Sequence, residues 1–180
     1  MTRRAPLAIL SPLLAMTLVV ANSLVGCASD PKEGYAARNP YSSKYHSVAL
    51  PIFRNKSYIR DFEFELADAL VKQVSVSTPY AVTSEASADT ILRGTITSIS
   101  LNELSRDPTT GLSNEVIVKV IVDFEWSDLR TGQPIVARNG FTASALFVPS
   151  RPASEPIDLA RFQVVQQLAR DLVDQMQSAW

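Results

Sequence analysis

Cysteine and histidine each occur once in these 180 residues, as Cys27 and His46. One thiol cannot close a disulfide within the chain or supply the several ligands of a structural zinc site. One imidazole, at the edge of a polar segment, leaves little from which to assemble a Ser-His-Asp or Cys-His nucleophile. His46 is therefore expected at the surface. Glycine is scarce as well, and the six present form neither G-x-G-x-x-G nor G-x-x-x-x-G-K, so no phosphate-cradling loop is expected. An excess of positive charge is also missing: 17 basic residues stand against 18 acidic ones, which argues against a nucleic-acid partner. The carboxylates are scattered. Glu63 and Glu65 are placed to complement a helix start, and Asp123 and Glu125 to solvate one face of a strand. These absences predict no catalytic residue, no metal site and no cofactor, and favour binding over catalysis.

The apolar stretch Leu7 to Val20, broken only by Ser11, Pro12 and Thr17, is too short and interrupted for a membrane span of about 20 residues. It follows Arg3 and Arg4 and precedes the small and polar residues Ala21, Asn22 and Ser23, the layout of a secretory signal. Leu24-Val25-Gly26-Cys27 then resembles a bacterial lipobox, in which the cysteine thiol takes a diacylglycerol and a small residue before it admits the peptidase. An ordinary cleaved signal with a cysteine close by is the alternative. On the lipobox reading, residues 1–26 are removed and Cys27 carries the lipid, a palmitate-type anchor. Ala28, rather than Asp, after the cysteine leans towards the outer membrane. Without residues 1–26 the basic count falls from 17 to 15, leaving a formal charge of −3.

Residues 27–46 read as a lipidated N-terminus and flexible tether: polar, rich in turn formers and without apolar periodicity. Tyr35, Tyr41 and Tyr45 stand out there, and one or two of them are expected to pack onto the folded part. Residues 47–180 read as one domain. Ser47 to Phe53 is a short apolar strand, with Pro51 marking an edge or bulge. A helix is expected from about Asp61 to Ser75, with Phe62, Leu66, Leu70 and Val74 on its buried stripe, Ala67 and Val71 widening it, and Lys72 complementing its C-terminal dipole. Thr78-Pro79 stops it, and Tyr80 to Thr83 is a brief strand.

Three longer strands follow, at about Thr90 to Leu101, Asn114 to Asp128 and Ile135 to Phe147. The middle one is plainest. Val116, Val118, Val120, Val122, Phe124 and Trp126 alternate with Lys119, Asp123 and Glu125, so one face is buried and one wet. Asp107 to Gly111 and Asp128 to Gly132 are the hairpin turns. Ser154-Glu155-Pro156 opens a closing helix whose apolar stripe is Val165, Leu168, Ala169, Leu172, Val173 and Met176, with Arg161, Gln166, Gln167, Arg170 and Asp174 on its wet side. The expected fold is α+β: a two-layer sandwich with a mostly antiparallel sheet of four to five strands and two helices on one face.

In this order the elements resemble the LptE-like lipopolysaccharide-assembly lipoproteins over about residues 47–178. The resemblance is carried by Val48 to Ser57, the helix Phe62 to Val74, the strand Ala88-Asp89-Thr90-Ile91-Leu92-Arg93-Gly94-Thr95-Ile96, the turn Asp128 to Gly132 and the closing helix. The Gly-Tyr pair that commonly follows the cysteine in that family stands here as Gly34-Tyr35, seven residues on. The resemblance implies a lipoprotein facing the periplasm from the outer membrane, which plugs a β-barrel translocon, helps it fold and assists lipopolysaccharide delivery. Its partners would be that barrel and lipopolysaccharide or a related glycolipid. No glycolipid-contacting residue is matched; Arg54, Lys56, Arg60, Arg106, Arg130, Arg138 and Arg151 lie in turns or near strand ends, where solubility also explains them. The competing class is a periplasmic accessory lipoprotein of cell-wall synthesis or of a secretion channel. Those families usually insert a helix where Tyr80 to Thr90 leaves too little chain.

Overall fold

The computed structural model describes residues 40–149 and 156–177. The signal, the lipobox, Cys27, Tyr35, Arg151, Ser154 and Glu155 lie outside them. The elements are β1 (Ser47–Ala49), β2 (Arg54–Asn55), α1 (Phe62–Ser77), β3 (Ala81–Val82), β4 (Thr90–Arg106), β5 (Ser113–Asp128), β6 (Pro134–Phe147) and α2 (Ile157–Asp174).

One mixed sheet runs β3-β1-β4-β5-β6, with β2 beside β4. It has six strands, more than the expected four to five: the strand read over 47–53 ends at Ala49, and Arg54–Asn55, just beyond that reading, forms a further short strand. β1 and β2 both run parallel to β4, at Val48↔Thr90 and Arg54↔Thr95. Between them Pro51 has no N–H to give a ladder. The Phe53 ring turns onto Gly94 instead. The β4–β5 and β5–β6 pairs are antiparallel.

Alternation on β5 places Val118, Val120, Val122, Phe124 and Trp126 in the core, with Val116 partly buried against it. β4 needs a correction of phase to match. Leu92 and Ile96 face the core, and Thr97 is an extra residue between the pairs Ile96↔Val122 and Ser98↔Ile121. That bulge returns Ile99 to the core side, opposite Val120. On β6 the pairs Val122↔Phe141 and Phe124↔Arg138 leave Asn139 and Gly140 opposite Asp123 alone. Gly140 takes φ 67°, and its N–H donates to Asp123 Oδ1 at 2.7 Å. Asp123 thus fastens a bulge as well as wetting a face.

The two hairpin turns share one chemistry. Asp107 Oδ1 accepts the N–H groups of Thr109 and Thr110, and Asp128 Oδ1 those of Arg130 and Thr131. Gly111 (φ 71°) and Gly132 (φ 68°) close them in the left-handed region that a side chain would strain. The first turn lies where it was expected; it is the strand before it that runs past the expected Leu101, to Arg106.

Both helices pack on the same sheet face. α1 buries Phe62, Leu66, Ala69, Leu70 and Val74, while Val71 is exposed, so the stripe widens through Ala69 instead. The helix runs on to Ser77, which leaves Lys72 more than a turn short of its end, paired with Asp68 at 2.6 Å. α2 buries Val165, Leu168, Ala169, Leu172 and Val173 of the expected stripe together with Ala160 and Val164, and Met176 is buried just past the helix end. The other sheet face has no described helix over it, which is the two-layer arrangement.

Candidate functional site: a pinned end and a projecting hairpin

Two carboxylates pin the N-terminal segment to one end of the sheet. Asp89, just before β4, accepts the N–H of His46 at 2.9 Å and of Ser47 at 3.1 Å, and the Ser47 hydroxyl at 3.1 Å. The Ser47 Oγ accepts the Asp89 N–H in return, at 2.9 Å. The His46 and Ser47 donors hold the Asp89 carboxyl below its ordinary range. His46 thus serves through its backbone.

Asp128 is the second pin. Besides the two turn amides it receives Lys44 Nζ and the Tyr45 hydroxyl, both at 3.2 Å. Its burial favours the neutral form, but the donors from Thr131, Lys44, Arg130 and Tyr45 outweigh burial and bring its pKa to about 2. Aromatic packing finishes the attachment. Tyr41 is buried edge-on to Tyr80 at 5.8 Å, and Tyr45 lies edge-on to Trp126 at 5.9 Å. Two of the three tyrosines singled out in the sequence therefore pack onto the domain. The Trp126 Nε1 is buried without an oxygen or nitrogen partner among the described residues, in this aromatic setting.

The opposite end is built differently. β4 and β5 pair from Thr90↔Asp128 to Arg106↔Ser113, so their hairpin carries the chain about 50 Å from the pinned end at roughly 3.3 Å per residue. Near its tip Leu104 is the extra residue of a bulge and 57 % exposed, Leu112 is 60 % exposed, and Leu101 and Leu146 are also exposed. Below them an apolar cleft of about 110 Å³ opens between Ile59, Ile99, Leu101, Val118 and Ile157, with Arg161 at its margin. Exposed leucines gathered at one end of a sheet mark a contact surface better than scattered ones do.

The basic residues do not form one patch. Arg106 pairs with Glu103 at 2.7 Å near the tip, whereas Arg130 belongs to the turn at the other end. Arg54 shares an open groove with Arg93, Asp123 and Glu125, where the signs cancel. Glu63 accepts from Asn55 Nδ2 at 2.6 Å, and Glu65 from Arg161 at 2.9 Å. Each of these carboxylates has a structural partner. Among the described residues no three of His, Cys, Asp and Glu gather as a metal site, and no helix is long and apolar enough to cross a membrane. The tip leucines were not singled out in the sequence; their signal there was an apolar residue at each end of a polar turn.

A model of the LptE family, described as lipopolysaccharide-assembly, matches residues 45–180. No curated protein sequence matches. Solved structures are similar to this chain at low identity. The hypothetical protein CT253 from Chlamydia trachomatis is 11% identical, with 73% of this chain and 95% of that one covered at a TM-score of 0.51. Protein XCC0632 from Xanthomonas campestris is 10% identical over 76% of this chain and 89% of that one, at 0.50. A PelC dodecamer subunit from Paraburkholderia phytofirmans is 14% identical over 77% and 94%, at 0.49.

Proposed function

Since the chain belongs to the LptE lipopolysaccharide-assembly family, we propose that it works as a lipoprotein held at the outer membrane through Cys27, facing the periplasm. There it plugs the β-barrel translocon, helps that barrel fold and assists the passage of lipopolysaccharide to the surface. The observation that carries this reading is the family match over residues 45–180. The shape agrees with it. The segment leading back to Cys27 joins the domain at the end pinned by Asp89 and Asp128, and the hairpin projects its exposed leucines from the other end. A narrow two-layer sandwich with one long hairpin suits a barrel lumen, where a large contact surface replaces a catalytic centre. The protein carries out no chemical step in this role.

Capture of the mature protein from detergent extracts, followed by mass spectrometry, tests the proposal. A single large outer-membrane barrel, recovered one to one, is the expected partner, and depletion of the protein should leave that barrel misassembled. Recovery of a cell-wall synthase or a secretion ring without a barrel overturns it.

A further inference from the structure

We propose that the protein, when not engaged with a barrel, pairs with a second copy of itself through the outer edge of β6, antiparallel about a two-fold axis at Ser144. β6 ends the sheet: β5 lies on one side of it, and no described strand pairs with the other. Exposed edges of this kind are usually blunted by charge, proline or a bulge. Here Pro134, Arg138 and the Asn139–Gly140 bulge all fall in the first half. From Phe141 to Phe147 the strand is uncharged and continuously paired to β5.

That half reads Phe141-Thr142-Ala143-Ser144-Ala145-Leu146-Phe147, nearly a palindrome about Ser144. In a two-fold antiparallel pair Phe141 stands opposite the partner's Phe147, Ala143 opposite the partner's Ala145, and Ser144 opposite its own copy. Side chains alternate between faces along a strand. Both phenylalanines and both alanines therefore lie on the helix side, where pairing extends the core as aromatic contacts flanking a small-residue centre. Thr142, Ser144 and Leu146 lie together on the open face. A strand of unrelated sequence would draw no benefit from this symmetry; a second copy does.

The neighbouring helix obeys the same symmetry. Phe162, Gln163, Gln166 and Arg170 of α2 line a groove beside Ser144 and Ala145. Phe162 is 59 % exposed, and Arg170 donates to Gln167 Oε1 at 2.8 Å. With Gln166 at the axis, Phe162 and Arg170 are equally spaced on either side of it. Two antiparallel α2 helices then set each Phe162 ring against the partner's Arg170, an aromatic–guanidinium pairing made twice.

Sedimentation and cysteine cross-linking of the purified mature protein test this pairing. Across the axis the two Cα atoms at position 144 would lie about 4.5–5.5 Å apart, within reach of a disulfide. Ser144→Cys should give a covalent dimer under mild oxidation, with the link mapped to position 144 by peptide mass spectrometry. Ser100→Cys, in the middle of the open sheet face, should not. Ser144→Lys puts like charges face to face and should weaken the dimer at least tenfold, leaving the circular dichroism spectrum and the melting temperature of the dilute monomer unchanged. A monomer at every concentration, equal cross-linking at positions 144 and 100, or an undiminished Ser144→Lys dimer overturns the proposal. Each of these results leaves the barrel reading standing, because the protein is measured without its barrel.

Discussion

The ring of Phe53 fills the space that a side chain at Gly94 would need: a Cβ built there overlaps the ring's edge carbons. Phe53 is itself buried, at the point where the chain breaks from β1 and resumes as β2. Gly94 lets the ring lie directly on β4.

The two residues should therefore be energetically coupled. Gly94→Ala should destabilise the domain by about 1–3 kcal/mol through overpacking. Phe53→Ala should cost about 3–5 kcal/mol. In the double variant the added methyl enters the space the ring has left, so the loss should fall short of the sum. Urea unfolding of the four proteins measures the coupling, and strict additivity would show that the ring and the glycine do not constrain each other.

Acid should loosen the pinned end at a definable pH. The folded Asp128 carboxyl titrates near 2, below the ordinary 3.8. A group with a depressed folded pKa adds stability above its unfolded value, and that addition is lost as pH falls through the folded one. The melting temperature of the native protein should therefore exceed that of Asp128→Asn by a constant gap at neutral pH, and the gap should narrow from about pH 4 towards 2. A gap that stays constant throughout this range would mean that the carboxylate's charge contributes nothing to the attachment.

The closing helix separates two neighbouring positions. Leu168 is fully buried, whereas Gln167 is half-buried and bonded to Asp171 and Arg170 at the surface. Leu168→Asp buries an unpaired carboxylate, which costs several kcal/mol and is comparable with the whole stability of a small domain. Gln167→Asp adds a like charge one turn from Asp171, worth only a few tenths of a kcal/mol. Thermal melts should show Leu168→Asp unfolded and Gln167→Asp near native; equal melting temperatures would contradict the packing of α2.

Lipid attachment is tested separately. Cys27→Ser should remain uncleaved by the lipoprotein peptidase and carry no acyl chain. Each buried methylene contributes about 0.8 kcal/mol, so several chains together anchor the native protein stably. Normal maturation of the variant, with retention in the outer membrane, would contradict anchoring at Cys27.

The hairpin tip should matter for the partner and not for the fold. Leu104→Asp and Leu112→Asp alter exposed side chains and should change stability by no more than about 0.5 kcal/mol. Together they should markedly lower recovery of the barrel in detergent capture. Undiminished recovery would remove the tip from the proposed contact surface.

The periodicities of β5 and α2, the hairpin turns and the family resemblance were already present in the sequence, because each depends on residues close together in the chain. Val118 to Trp126 alternate since every second side chain of a strand shares a face, and Leu168 to Met176 follow the helical repeat. Asp107 and Asp128 announce their turns by the glycine four positions on. Tertiary structure decided what no local pattern contains. The bulge at Thr97 reverses which face β4 shows, and only its pairing with β5 reveals the reversal. Phe53 chooses Gly94, and Asp89 chooses His46 and Ser47, across some 40 residues of chain. A carboxylate near a strand start reads as solvated from sequence, because its donors arrive only when distant segments pack together. Likewise the palindrome from Phe141 to Phe147 is visible in the letters, but only the sheet order shows that this strand ends the sheet, where its symmetry can meet a second copy.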